Sequence, residues 1–227
     1  DFGSSLNSAQ VVISNNAIHS SAGDGVNFAQ LIGGIANLNI SDNVIQVTGS
    51  GVRQQASSSI ADDAVVVISG NAIAILGVNG TGIELNNLDS TQTALIAENG
   101  ISAGAFGIVV VQRGPGFMNG QLEIVDTTVS GVRDTGLMFI NSDSGSSLDV
   151  TSQSGVVVQG GAFSSDNGLV FDGPGLALSG DTLGDTVFLA QNGNYIELRN
   201  GGLFDPGRPT LIDATGVAFD SFDATTL

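Results

Sequence analysis

Two short apolar elements recur along this chain at a nearly fixed interval, and that recurrence leaves few folds open to it. The first element reads apolar-x-x-Asn-x-apolar: Ile13 to Ile18, Ile40 to Ile45, Ile68 to Ile73 and Ile96 to Ile101, with a weaker fifth copy from Ile124 to Val129. Its fourth position falls at Asn16, Asn43, Asn71, Asn99 and Thr127, in steps of 27, 28, 28 and 28 residues. The second element, Gly-apolar-x-apolar, begins at Gly25, Gly51, Gly82, Gly107, Gly136 and Gly168. A period in this range marks a solenoid, in which a repeat buries its apolar face only by stacking on its neighbours.

Superposing the glycines sorts the strand residues into rows, because alternate side chains point to opposite faces. Val26, Val52, Ile83, Ile108, Leu137 and Leu169 form one inward row; Phe28, Gln54, Leu85, Val110, Phe139 and Phe171 form the next. Gln54 interrupts the second row, so its amide is expected to be hydrogen-bonded in place, or its rung bulged, since an unpaired buried amide costs about 1–3 kcal/mol. The coils run near 1–31, 32–57, 58–88, 89–114, 115–143 and 144–173, with Gly77 to Gly80 enlarging one turn. In the last of these, both Leu148-Asp149-Val150 and Val156-Val157-Val158 suit the first-strand role, and one of them is read as part of an insertion near 144–155.

The fold expected is therefore all-β: a parallel β-helix of about seven coils, of order 35 Å long at one strand spacing per coil, with an irregular C-terminal cap. It forms one domain over 1–227, regular over about 8–173 and decaying into the cap over about 174–227. Helix is disfavoured by 33 Gly and by short β-branched runs. With 22 acidic residues against 5 basic ones, the chain lacks the cationic footprint that nucleic acid or an anionic membrane requires. Zero Cys removes disulfides and thiolate metal sites, and one His removes most zinc chemistry. The sequence shows neither a charged-then-apolar leader nor an apolar run long enough to span a bilayer, and it is read as an excised segment.

Ile-x-x-Asn-x-Ile with a downstream Gly-Ile-x-Leu resembles the right-handed parallel β-helix repeats of the pectin-lyase-like superfamily over roughly residues 8–173. That resemblance, with the general chirality of parallel crossovers, implies a right-handed, single-stranded coil. It implies activity only weakly, because the fold hosts lyases, hydrolases, epimerases, phage spikes and adhesins. Richness in Ser, Asn, Gly and Asp with few aromatics is more similar to bacterial surface β-helices than to the enzymes. The function expected is a non-enzymatic, secreted or cell-surface scaffold of bacterial type, displaying side-chain rows to glycans, cell-surface components or neighbouring chains, with no cofactor. The alternative is a carbohydrate-active enzyme acting on an acidic polysaccharide.

Individual residues divide along the same line. Asn16, Asn43, Asn71 and Asn99 superpose at the turn, and Gln30, Asn87, Gln112 and Asn141 after the second strand; both rows are expected to be amide ladders, each side chain donating to and accepting from its neighbours. On the outward face of the second strand, Val109, Val111, Met138, Ile140 and Val170 make a contiguous apolar patch, large enough to require a cover. That cover is the segment near 144–155 or the C-terminal tail, or else another chain. Arg53 and Glu84 are expected to pair on adjacent rungs. For catalysis, Glu98 and Asp126 precede the turn residue on neighbouring rungs, with Arg133 in the same coil as Asp126. Two close carboxylates share a proton, bind Ca²⁺ or divide acid and base roles. The plainer expectation for them is ordinary solvated turn residues, for His19 a solvated loop residue, and for Gly180 to Asp185 a turn with only a faint likeness to Ca²⁺-binding Gly/Asp repeats.

Overall fold

The computed structural model describes residues 10–28, 37–55, 65–86, 88, 93–102, 104–112, 120–142, 148–160, 167–173, 176–178, 187–189, 193–194, 196–200, 203–204, 211–212 and 219–221. Each coil holds three strands. The first is β1 (Gln10–Ser14), β2 (Ala17–Ser20) and β3 (Val26–Phe28); the second is β4 (Asn37–Ser41), β5 (Val44–Val47) and β6 (Val52–Gln54). Then come β7 (Val65–Ser69), β8 (Ala72–Ile75) and β9 (Thr81–Asn86), followed by β10 (Thr93–Ala97), β11 (Gly100–Ser102) and β12 (Phe106–Gln112). The fifth coil is β13 (Gly120–Val125), β14 (Thr128–Val132) and β15 (Thr135–Asn141), and the sixth is β16 (Leu148–Ser154), β17 (Val157–Gly160) and β18 (Asn167–Asp172). Shorter strands complete two more: β19 (Leu176–Leu178), β20 (Val187–Leu189), β21 (Ile196–Arg199), β22 (Leu203–Phe204), β23 (Leu211–Ile212) and β24 (Phe219–Ser221).

Every third strand joins the same sheet, so three parallel eight-stranded sheets run from the first coil to the last. Sheet 1 begins at β1, sheet 2 at β2 and sheet 3 at β3. This is a parallel β-solenoid with eight rungs in each sheet, where the repeat count had suggested about seven. Among the described residues there is no helix.

All three sheets bury one face in a common core. Leu38, Ile40, Val66 and Ile68 enter from sheet 1, Ile45, Val47, Ile73 and Ile75 from sheet 2, and Ile83, Leu85, Ile108 and Val110 from sheet 3. Phe139 and Phe171 stack on adjacent rungs of sheet 3 with ring centroids 5.1 Å apart and planes tilted by 57°, a geometry favoured by the ring quadrupoles.

The repeated glycine has a steric cause. A Cβ at Gly25 would lie 2.6 Å from both the Gly51 carbonyl oxygen and Ile45 Cγ2, and one at Gly51 would meet the Gly82 carbonyl oxygen at 2.7 Å and a methyl of Ile73. Gly82, Gly107 and Gly136 repeat the conflict with Ile101, Val129 and Val158. Where sheet 2 turns into sheet 3, the β-branched core side chain fills the space a side chain would need.

Three expectations are corrected. The apolar-x-x-Asn-x-apolar element spans two strands in different sheets, so the last apolar residue of each copy lies in a strand of sheet 2, which the two-strand reading did not separate. The segment near 144–155 is not an insertion: Leu148–Ser154 pairs in parallel with β13, and Val157–Gly160 with β14. Both apolar triplets are therefore strands of one coil, and the irregularity is a register shift between Leu122 and Glu123 opposite Val150 and Ser152, a bulge of one residue. His19 lies within β2 and not in a loop.

Candidate functional site

The corner between sheets 1 and 2 is the most regular part of the surface. It is only two residues long, Glu98 and Asn99 between β10 and β11, Asp126 and Thr127 between β13 and β14. To reverse the chain so tightly, the first corner residue takes a left-handed backbone in six successive coils: Asn15 (φ 58°), Asp42 (57°), Gly70 (66°), Glu98 (56°), Asp126 (46°) and Gly155 (64°). Asn, Asp and Gly tolerate this conformation; Glu98 does so against its steric preference.

The second corner residue turns inward and forms a ladder. Asn16 Nδ2 donates to Asn43 Oδ1 at 3.0 Å, Asn43 Nδ2 to Asn71 Oδ1 at 2.9 Å, and Asn71 Nδ2 to Asn99 Oδ1 at 2.9 Å. Each of these Oδ1 atoms also accepts the backbone N–H of the preceding Asn. Asn43, Asn71 and Asn99 reach back to the carbonyls of Ile13, Ile40 and Ile68 as well. The row ends at Thr127, whose hydroxyl accepts the Asn99 N–H at 3.4 Å and donates to the Val125 carbonyl.

The second expected row is arranged differently. Gln30 and Asn87 lie outside the described residues. Gln112 and Asn141 are in register, but Gln112 Nε2 donates to the Leu88 carbonyl at 2.7 Å, and its Oε1 has no partner among the described residues. An amide pair not foreseen forms between Gln54 and Asn86: Gln54 Oε1 accepts the Asn86 N–H at 3.1 Å, and Asn86 Nδ2 donates to the Gln54 carbonyl at 2.7 Å. Gln54 thus sits fully buried in the apolar row with its oxygen bonded and its Nε2 without a partner among the described residues.

On the outer face of sheet 3, Val109, Met138 and Val170 align, as do Val111 and Ile140. Val111 and Val170 are buried within the single chain, Val109 is 9% exposed, and Met138 and Ile140 are half-buried. Residues 148–154 do not supply the cover, because they are a strand of sheet 1. The same face carries Glu197, in register with Val170 and 3% exposed, gripped by Arg199 through Nε at 2.6 Å and through a second nitrogen at 2.8 Å. Its hydrogen bonds to the Glu197 carboxylate raise the Arg199 pKa above its ordinary value. At the other end, Arg53 lies 3.3 Å from Glu84 and 3.5 Å from Asp24.

Sheet 2 presents the open face. Val44, Gln46, Ala72, Ala74, Gly100 and Ser102 line a shallow trough of about 260 Å³ across three rungs, with His19 Nδ1 3.2 Å from Gln46 Oε1 at its edge.

Glu98 and Asp126 occupy the same corner one rung apart, both exposed. Arg133 follows β14, at the corner between sheets 2 and 3. The five residues of that strand, roughly 17 Å at the usual rise, separate it from Asp126. The three residues are not brought together. Among the described residues no group of three or more His, Cys, Asp or Glu is placed to hold a metal ion. Gly180 to Asp185 lies outside the described residues. No family model, no curated protein and no solved structure matches this chain.

Proposed function

We propose that this chain is a non-enzymatic scaffold of the bacterial secreted or surface-displayed kind, a β-solenoid kin to the pectin-lyase-like repeats, whose outward rows contact glycans or protein surfaces. The observation that carries this reading is the two-residue corner at Glu98 and Asp126. A polysaccharide-cleaving site on these carboxylates needs a loop to wall a cleft and exclude water, and a turn of that length builds neither. Arg133, the cation such a site would use, stands at another corner. The regular trough over Val44, Ala72 and Gly100 instead offers shallow contact repeated at the strand spacing, suited to weak multivalent binding.

The test is a turnover screen on acidic polysaccharides, with and without Ca²⁺, following unsaturated products and new reducing ends, beside a binding panel of glycans. The scaffold reading expects no turnover, and binding that Ala72→Arg removes while Asp126→Asn leaves it intact. Turnover abolished by Asp126→Asn would replace this reading with the enzymatic one.

A further inference from the structure

Three Asn-Gly pairs lie wholly among the described residues: Asn79-Gly80, Asn99-Gly100 and Asn167-Gly168. In this dipeptide the main-chain nitrogen after Asn is placed to attack the side-chain amide carbon, and glycine, lacking a Cβ, leaves the approach open. Whether a folded chain permits the attack depends on what else holds the amide and the nitrogen.

Two of the pairs are held. Asn99 is 2% exposed; its Nδ2 donates to the carbonyls of Ile68 and Ala97, its Oδ1 accepts from Asn71, and the Gly100 N–H donates to the Asn71 carbonyl at 2.9 Å. Asn167 Oδ1 accepts the Asn194 N–H at 2.7 Å, and the Gly168 N–H donates to the Asn194 carbonyl at 2.9 Å. Attack there would break bonds between coils. Asn79 is placed differently, exposed in the enlarged turn between β8 and β9 beside Leu76 and Val78, which are 61% and 55% exposed. Its amide makes no hydrogen bond among the described residues. The Gly80 N–H donates to the Gly77 carbonyl at 3.3 Å, a long bond within the same turn, so releasing it disturbs no other coil.

We propose that Asn79 is a site of spontaneous covalent self-modification. The Gly80 nitrogen gives up its proton to hydroxide and bonds to Asn79 Cγ. The Cγ–Nδ2 bond breaks, the side-chain nitrogen takes up a proton and leaves as ammonia, and a five-membered succinimide remains. Water then opens this ring at either carbonyl. Opening at the main-chain carbonyl leaves isoaspartate, joined to Gly80 through its side chain with one extra carbon in the main chain; opening at the other leaves aspartate. Each product adds a carboxylate to a chain of net charge −17.

Gly80 has little room to absorb the extra carbon. Its carbonyl accepts the Ala105 N–H of the next coil at 2.8 Å, and a Cβ on it would strike the Gly49 carbonyl oxygen of the preceding coil. Isoaspartate at position 79 therefore displaces Gly80 and loosens the corner between sheets 2 and 3 across three successive coils. This chemistry goes beyond the scaffold reading and is independent of it.

The test is incubation of the folded chain in warm, mildly alkaline buffer, followed by proteolysis and tandem mass spectrometry that separates isoaspartate from aspartate. Asn79 is expected to convert to both, while Asn99 and Asn167 keep their amides; in urea all three should convert at similar rates. The Ala105 amide of the isoaspartate chain should exchange its hydrogen faster by roughly tenfold or more. Asn79→Gln, whose longer side chain does not close a five-membered ring, should keep the β circular dichroism spectrum and a slow Ala105 amide after the same incubation. An Asn79 that keeps its amide in the folded chain but loses it in urea overturns the proposal. Conversion of Asn99 or Asn167 in the folded chain as fast as Asn79, or conversion of Asn79 to aspartate alone, also overturns it. Unchanged exchange at Ala105 overturns the loosened corner.

Discussion

Asn71 ties three coils together with one side chain. Its amide nitrogen donates forward to Asn99 and back to the Ile40 carbonyl, and its oxygen accepts both the N–H and the Nδ2 of Asn43. Asn71→Ala strands those two Asn43 donors and the Ile40 carbonyl in a site that is 1% exposed. The expected loss is about 3 kcal/mol in urea unfolding, against about 1 kcal/mol or less for exposed Asn16→Ala at the end of the row. Glycine substitutions divide just as sharply. A Cβ at Gly82 meets the Gly107 carbonyl oxygen at 2.5 Å and a methyl of Ile101, while one at Gly100 meets nothing within 4 Å. Gly82→Ala should cost about 2–3 kcal/mol, and Gly100→Ala should be neutral or slightly stabilising in the same measurement. The ladder was legible because it repeats one residue type at one spacing. The left-handed column beside it was not, because Asn15, Asp42, Gly70, Glu98, Asp126 and Gly155 share a backbone angle and no common identity. Nor did Arg133 reveal its distance from Asp126, since sharing a coil does not mean sharing a corner.

At the scale of elements, sheet 3 announced itself through glycine and an alternating pattern, whereas sheet 2 was hidden inside the Asn repeat. In the first six coils its strands start immediately after the two-residue corner, and β11 gives the core a single side chain, Ile101, too few to display alternation. The sixth coil misled for a smaller reason. One extra residue at the bulge opposite Leu122 and Glu123 displaces the apolar pattern, so a strand reads like an insertion. The two readings predict opposite results for removing residues 148–154. A dispensable insertion would leave a folded chain, but this deletion takes β16 out of sheet 1 between β13 and β19 and leaves Leu122 and Ile124 without a covering rung. The shortened chain is expected to lose its β circular dichroism signal or to be recovered only as aggregate. A soluble protein with an unchanged spectrum would contradict the register.

The whole molecule is a stack of coils, each paired in register with its neighbours, and it carries 22 acidic residues on a rod whose rungs are about 4.8 Å apart. Two of its five Arg side chains already answer identified carboxylates, Arg53 those of Asp24 and Glu84, and Arg199 that of Glu197. The net charge of −17 therefore acts mainly as repulsion along the rod. At about 0.01 M salt the screening length is about 30 Å, comparable to the length of the stack, so every coil repels nearly every other; at about 0.15 M it falls to about 8 Å, less than two rungs. Loss of the exposed Arg53 contacts to screening works the other way, but such pairs contribute only about 0–1 kcal/mol each. Repulsion among the carboxylates outweighs those few attractions, and folding intensifies it by drawing the charges together. Tm should therefore rise by several degrees between about 0.01 and 0.15 M NaCl and more slowly above that range, because a screening length of about 8 Å already leaves only neighbouring rungs to repel one another. A Tm that falls with added salt would mean that the ion pairs, and not the core and ladder, hold the coils together.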